Sequence, residues 1–227
     1  MIILALDTAL SACSAGVWRD GVMIATESLL MPQGHAETVM PMIERVMSAA
    51  NLDYNQLDRI AVTVGPGSFT GLRVGIATAR GLAMAAQKPA IGIATTEVFA
   101  SMVAPHERRG ENNYSRHILS VIDSKRDDAY VQIFDADEQP LGEVLNLTYE
   151  SLHLKFPGAL IVVGDGSARA MNHLGHDAVQ SAAPITCAVE NVALIASTRA
   201  IDPRGPLPLY IRAPEVTLRS DGGVVRP

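Results

Sequence analysis

Three carboxylates stand where apolar runs end. Asp7, followed by Thr8, closes a run at 2–6; Asp123 closes another at 117–122; Asp165 lies between Gly164 and Gly166 after a third at 160–163. Loops of this kind could converge on a magnesium-bound nucleotide, with phosphoryl transfer as the chemistry. A second candidate is the stretch Gly65-Pro66-Gly67-Ser68-Phe69-Thr70-Gly71, set between a β-branched strand at 60–64 and a helix reaching about Gln87. A glycine turn at a helix N-terminus has two readings: exposed N–H groups and a dipole that favour phosphate, or close packing of strand on helix. Packing is favoured, because the helix also carries Gly75, Ala77, Ala79, Gly81, Ala83, Ala85 and Ala86. Each interior glycine costs about 1 kcal/mol of helix propensity relative to alanine, so another backbone must come very near. A Walker loop is excluded, since Gly71 leads into Leu72-Arg73 and no lysine follows. Ser68 sits where a nucleophile elbow would, but its flanks depart from Gly-x-Ser-x-Gly. An N-cap explains it with fewer assumptions, and peptidase activity is not expected.

The histidines offer no metal site. His173 and His176 are separated by the helix-breaking Gly175, His35 opens a helix, and His106, His117 and His153 are isolated. Cys13 and Cys187 are the two cysteines of the 227 residues, and the expectation is two buried thiols in a reducing cytoplasm. The N-terminus has no basic region and reads as a first strand, not a signal peptide. No uncharged apolar run reaches the roughly 18 residues of a membrane span. A hydrophobic content of 48% excludes a disordered chain, and a net charge of −6 without a basic cluster argues against a protein that grips nucleic acid alone.

Positioning these residues takes two similar halves. Strands at 2–6, 11–18 and 22–29, the last two joined by a turn at Arg19-Asp20-Gly21, open the chain as an antiparallel set. A helix over 35–50 carries a broad apolar stripe through Val39, Met40, Met42, Ile43, Val46 and Met47, which fits either a core or a partner surface. The glycine-rich helix, a buried strand at 90–94 and a short helix to Val103 come next. Residues 105–115 read as an exposed connector. The second half repeats the pattern, with strands at 117–122 and 129–134 about the turn at Asp127-Asp128, further strands at 143–147 and 160–163, and helices near 167–173 and 189–200. Residues 209–212 are expected to pack back, and the chain after Thr217 to be disordered. A repeated strand, aspartate, turn and returning strand suggests two lobes facing a cleft.

This duplicated α/β unit resembles the actin-like ATPase superfamily of sugar and acetate kinases, heat-shock 70 proteins and actin. The resemblance implies two ribonuclease H-like lobes, each a mixed sheet flanked by helices, divided as 1–104 and 105–227. Within that superfamily, Leu4-Ala5-Leu6-Asp7-Thr8, Gly65-Pro66-Gly67-Ser68-Phe69-Thr70-Gly71-Leu72-Arg73-Val74-Gly75, Lys88-Pro89 and Val121-Ile122-Asp123-Ser124-Lys125-Arg126 resemble the TsaB (YeaZ) family of bacterial tRNA threonylcarbamoyladenosine synthesis. The match runs from Met1 to about Asp135 and is looser beyond.

The resemblance implies a non-catalytic scaffold for TsaD, which transfers the threonylcarbamoyl group to N6 of adenosine 37 in tRNAs reading codons that begin with A. TsaD carries a His-x-x-x-His pair after the strand that follows the glycine-rich helix. Here that stretch holds Thr96 and Ala100, which cannot coordinate as imidazoles do. Pairing with TsaD is expected through Val39, Met40, Ile43, Val46 and Met47 together with Leu72, Gly75, Ile76 and Ala79, as half of a four-helix bundle. TsaE joins in the full complex, tRNA is met only through it, and the isolated chain is expected to form a homodimer. ATP or ADP would bind weakly in a vestigial cleft at Asp7, Thr8, Asp123, Gly164, Asp165 and Gly166, or at the TsaD interface. The alternative is an active ATPase or phosphotransferase; against it, Ala9 and Leu10 stand where such enzymes place glycines beside the aspartate.

Overall fold

The computed structural model describes residues 1–109 and 115–212. Part of the expected connector and the expected disordered end after Thr217 lie outside the described residues. The first sheet comprises β1 (Ile2–Asp7), β2 (Ala12–Arg19), β3 (Val22–Leu30), β4 (Arg59–Gly65) and β5 (Ala90–Ala94) in the order β3-β2-β1-β4-β5. The second comprises β6 (His117–Asp123), β7 (Asp128–Phe134), β8 (Leu145–Thr148), β9 (Leu160–Val163) and β10 (Ala178–Gln180) in the order β10-β9-β6-β7-β8. The two orders are the same. In each, the first strand pairs antiparallel with the second and parallel with the fourth, which places Asp7 and Asp123 at equivalent strand ends. β1 and β4 lie inside their sheet and are buried on both faces, so their sequences run apolar without alternation. β10 is a strand that the sequence pattern does not announce, since three residues leave no period to detect.

Helices α1 (His35–Ala49) and α2 (Phe69–Ala86) cover one face of the first sheet. α3 (Thr95–Met102) touches β4 and β5 but packs also on β6 and β7, and α6 (Val189–Thr198) packs on β1, β2, β4 and β5. Two short helices, α4 (Leu152–Lys155) and α5 (Ser167–Met171), complete the second lobe. The expected division at 104/105 therefore separates the sheets but not the helices: α6 returns to the first lobe, where Arg59 Nη1 donates to the Ala196 and Arg199 carbonyls at 2.6 and 2.7 Å. Alternation on the second sheet results from this arrangement. Ile118, Ile122, Phe134, Ile161 and Val163 join the core shared with the first lobe, while Leu119, Val121, Val131 and Val162 face a separate one around Tyr149 and Leu152.

The expected partner stripe needs correction. Val39, Ile43, Val46 and Met47 on α1, and Leu72, Gly75, Ile76 and Ala79 on α2, are all buried within this chain. α1 lies over β2 and β3, a hairpin face that would otherwise be bare, and its apolar stripe is the cover. Among the stripe residues assigned to a partner only Met40 is exposed, at 37%.

The glycines of α2 serve different purposes. A Cβ at Gly71 would lie 2.1 Å from the Thr8 carbonyl oxygen, whereas one at Gly81 meets nothing within 4 Å. Alanine at the two positions is therefore expected to act in opposite directions. Gly81→Ala should raise the melting temperature by the helix-propensity gain of about 0.5–1 kcal/mol, and Gly71→Ala should lower it through an overpacking cost of about 1–3 kcal/mol. Thermal melts of both variants by circular dichroism check this; a shift of the same sign in both would contradict it.

Candidate functional site

The glycine-rich segment is spent on packing. Ser68 caps α2, its hydroxyl accepting from the Gly71 N–H at 3.3 Å. The Ser68 N–H itself donates to the Ala9 carbonyl at 2.7 Å, and the Thr8 hydroxyl donates to the Gly71 carbonyl at 2.7 Å. A Cβ at Gly67 would stand 2.3 Å from the Ala9 carbonyl oxygen, and one at Gly75 would stand 2.3 Å from Thr8 Oγ1. The β1–β2 turn thus takes up the Ser68 N–H and lies against the first turn of α2, while Ser68, Phe69 and Thr70 stand exposed.

Asp7 and Thr8 are fully buried behind this turn. Asp7 Oδ1 accepts from the Thr63 hydroxyl at 2.6 Å and from the Ala9 N–H at 3.1 Å, while Oδ2 has no partner among the described residues. Burial pushes the Asp7 carboxyl up from 3.8 to about 6, against the smaller lowering effects of Thr63, Ala9 and His35. Both cysteines are buried and free, and burial raises both thiols, which leaves them protonated and unreactive at neutral pH.

The other two carboxylates do converge. Asp165 Oδ1 accepts from the Asp123 N–H at 2.8 Å, and Lys125 Nζ lies 3.1 Å from Asp165 Oδ2 and 3.5 Å from Asp123 Oδ2. Burial raises the Asp165 carboxyl against the Asp123 N–H and Lys125; burial also works against the Lys125 ammonium, but the two carboxylates outweigh it and hold its pKa above the ordinary value. Arg169 stacks 4.3 Å over the Tyr149 ring and reaches Asp127 at 3.3 Å. Gly164 and Gly166 contribute space only: a Cβ on Gly164 would fall 2.2 Å from the Val121 carbonyl oxygen, and one on Gly166 would fall 2.9 Å from the Tyr149 hydroxyl.

Asp123, Lys125 and Asp165 edge a cleft of about 680 Å³ between the lobes, lined on the opposite side by Leu10, Ser11, His35, Ser68 and Thr70. Of the six residues assigned to it from sequence, Asp123 and Asp165 line the cleft and the rest stand behind it or shape its turns. Lys125 was missed as a site residue. Its position two after Asp123 was visible, but its left-handed backbone, φ 62°, which turns the ammonium back onto both carboxylates, was not. The ammonium thus bridges the two carboxylates from the cleft side.

The family model described as TsaD, tRNA N6-adenosine threonylcarbamoyltransferase, matches residues 30–192. The chain is 34% identical over 138 residues to the tRNA threonylcarbamoyladenosine biosynthesis protein TsaB of Escherichia coli, a match covering 61% of this chain and 57% of that protein. The chain thus spans little more than half the length of that relative. Among solved structures it is similar to YeaZ from Pseudomonas aeruginosa, with a TM-score of 0.75 at 22% identity over 92% of this chain and 99% of that one. An inorganic polyphosphate/ATP-glucomannokinase from Arthrobacter, at a TM-score of 0.51 and 12% identity over 87% and 99% of the two chains, shares the two-lobed actin-like fold.

The buried Asp7 carboxylate gives a pH signature. Its folded value of about 6 lies above its ordinary 3.8, so on raising the pH the unfolded state loses this proton first. Stability falls across that window and is level above it, a total penalty of about 3 kcal/mol. Asp7→Asn is expected to gain stability relative to the wild type as the pH goes from 4 to 7, read as urea midpoints at both values. A pH-independent difference would mean that Asp7 is paired.

Proposed function

The chain belongs to the TsaB (YeaZ) family of TsaD-related proteins, and from that membership we propose that it is a non-catalytic scaffold and activator of TsaD in forming N6-threonylcarbamoyladenosine at position 37 of tRNA. The observation that carries this reading is the surface α1 and α2 leave open once their apolar stripes are buried. It presents Ala36, Met40 and Pro41 from α1 and Ala77, Gly81 and Met84 from α2, with Met84 81% exposed and open space over Gly81. Small side chains allow helices from a partner to approach closely, and exposed apolar residues favour protein contact. The same surface supports a homodimer when TsaD is absent. TsaE is assigned to the full complex, and the charge of −6 leaves the tRNA contacts to the other subunits.

Two features support the absence of catalysis. Thr96, at the position of the first histidine in the His-x-x-x-His pair, is buried and donates to Gln132 Oε1 at 2.5 Å, and the cleft carboxylates are bridged by Lys125. Any ATP or ADP is therefore assigned to weak binding or to the interface with TsaD.

Co-purification with TsaD tests the surface. Ala77→Arg and Gly81→Arg are expected to abolish capture with no loss of helical circular dichroism or of melting temperature, whereas Ile43→Asp, which places a charge in the core, should unfold the chain. Retained capture by both arginine variants would move the interface elsewhere. No ATP turnover is expected; a rate that disappears on Asp7→Ala would replace this reading with that of a phosphotransferase.

A further inference from the structure

The segment 206–212 leaves the first lobe and ends on the second. The Leu209 N–H donates to the Val64 carbonyl at the end of β4 at 2.8 Å. A Cβ at Gly65, whose φ is +111°, would lie 3.1 Å from the Leu209 carbonyl oxygen, so glycine lets the segment run against the strand end. Tyr210 packs on Phe69 with ring centroids 5.4 Å apart, and its hydroxyl accepts from Arg73 Nε at 3.1 Å while the Arg73 guanidinium covers the Phe69 ring at 3.7 Å. Two residues later, Arg212 pairs with Asp128 at the start of β7 and reaches Asn146 Oδ1 on β8 at 3.4 Å. Between these ends lies a pocket of about 480 Å³, walled by Pro66, Phe69 and Leu72 on one lobe and by Ser124 and Tyr130 on the other.

We propose that residues 206–212 are a latch between the lobes, fixed on α2 and released at Arg212 to open this pocket. The two ends differ in kind. The Leu209–Tyr210 end combines a backbone hydrogen bond, a ring contact and a cation over a ring, three interactions that must be lost together. The Arg212 end is a part-exposed ion pair, with side-chain exposures of 26% and 20%, and such pairs are weak and sensitive to salt. Release at that end removes the segment's hold on β7 and β8 and leaves both cores, and the packing of α3 on β7, in place. The inference rests on contacts within this chain and not on the TsaD pairing proposed above.

Amide hydrogen exchange of the whole chain, followed by mass spectrometry, tests this. Raising sodium chloride to 1 M should speed exchange in the wild type in peptides covering 66–72, 124–131 and 145–148, and leave β1 and β2 unchanged. Arg212→Gln should speed the same peptides on the order of fivefold and remove the salt response, with Arg212→Lys keeping much of both; the Leu209 amide should stay protected in all. The proposal is overturned if the salt response is absent in the wild type, if it survives in Arg212→Gln, or if Leu209 opens together with Arg212. Where Arg212→Gln does not fold, Asp128→Asn, which removes the other half of the pair, carries the same comparison.

Discussion

The approach of α2 to the β1–β2 turn is the contact on which the rest of the first lobe depends. A backbone-to-backbone fit of this closeness admits no side chain at Gly67 or Gly71, and two hydrogen bonds at consecutive turn residues tie helix to turn: the Thr8 hydroxyl donates to the Gly71 carbonyl, and the Ala9 carbonyl accepts from the Ser68 N–H. It produces the burial of Asp7 and the position of α2 over β4. α1 then has a fixed neighbour on one side and the β2–β3 hairpin beneath it. A helix propensity cost of roughly 1 kcal/mol per glycine is small against the desolvated backbone groups that this fit satisfies.

The two lobes share a topology but have moved apart chemically at the same structural place. Asp7 and Asp123 end equivalent strands, yet the first is sealed under a turn with one oxygen unpartnered and the second stands at the cleft edge bridged through Lys125 to Asp165. The difference traces to the helix after the fourth strand of each sheet. After β4 comes an 18-residue helix drawn tight onto the turn; after β9 comes α5, five residues long, too short to close over its strand ends. An open, salt-bridged site and a closed, desolvated one result from one duplicated plan.

Much of this was legible in the sequence. The strand ends, the Ser68 cap, the need for a close backbone beside α2 and the two-lobed plan come from local signals: apolar runs, turn residues and small residues at helical spacing. The features that were not legible depended on contacts between distant segments. α6 belongs to the first lobe because its apolar face meets β1, and nothing in residues 189–198 marks which of two sheets it will cover. Residues 209–212 were expected to pack back, but that they run from Val64 to Asp128 needs both lobes in place. Asp7 and Asp123 look alike as strand-end aspartates; burial alone separates them, and burial is a property of the turn that α2 presses down.

The same limit explains the misassigned partner stripe, and the explanation bears on how this chain meets others. An amphipathic pattern states that one face of a helix will be covered, not by what. Here α1 had a claim closer at hand, because β2 and β3 would otherwise expose one face of their hairpin. The residues left outside are then selected by a different requirement. On the pairing proposed above, they must be tolerable in water when the chain is alone and admit a second backbone when it is not. Ala36, Ala77 and Gly81 meet both conditions, as Leu and Ile would not, and a single long side chain such as Met84 can fill whatever gap a partner leaves. A surface of that composition binds through closeness of fit more than through area of apolar burial, so it is more sensitive to added bulk than to lost methylene groups.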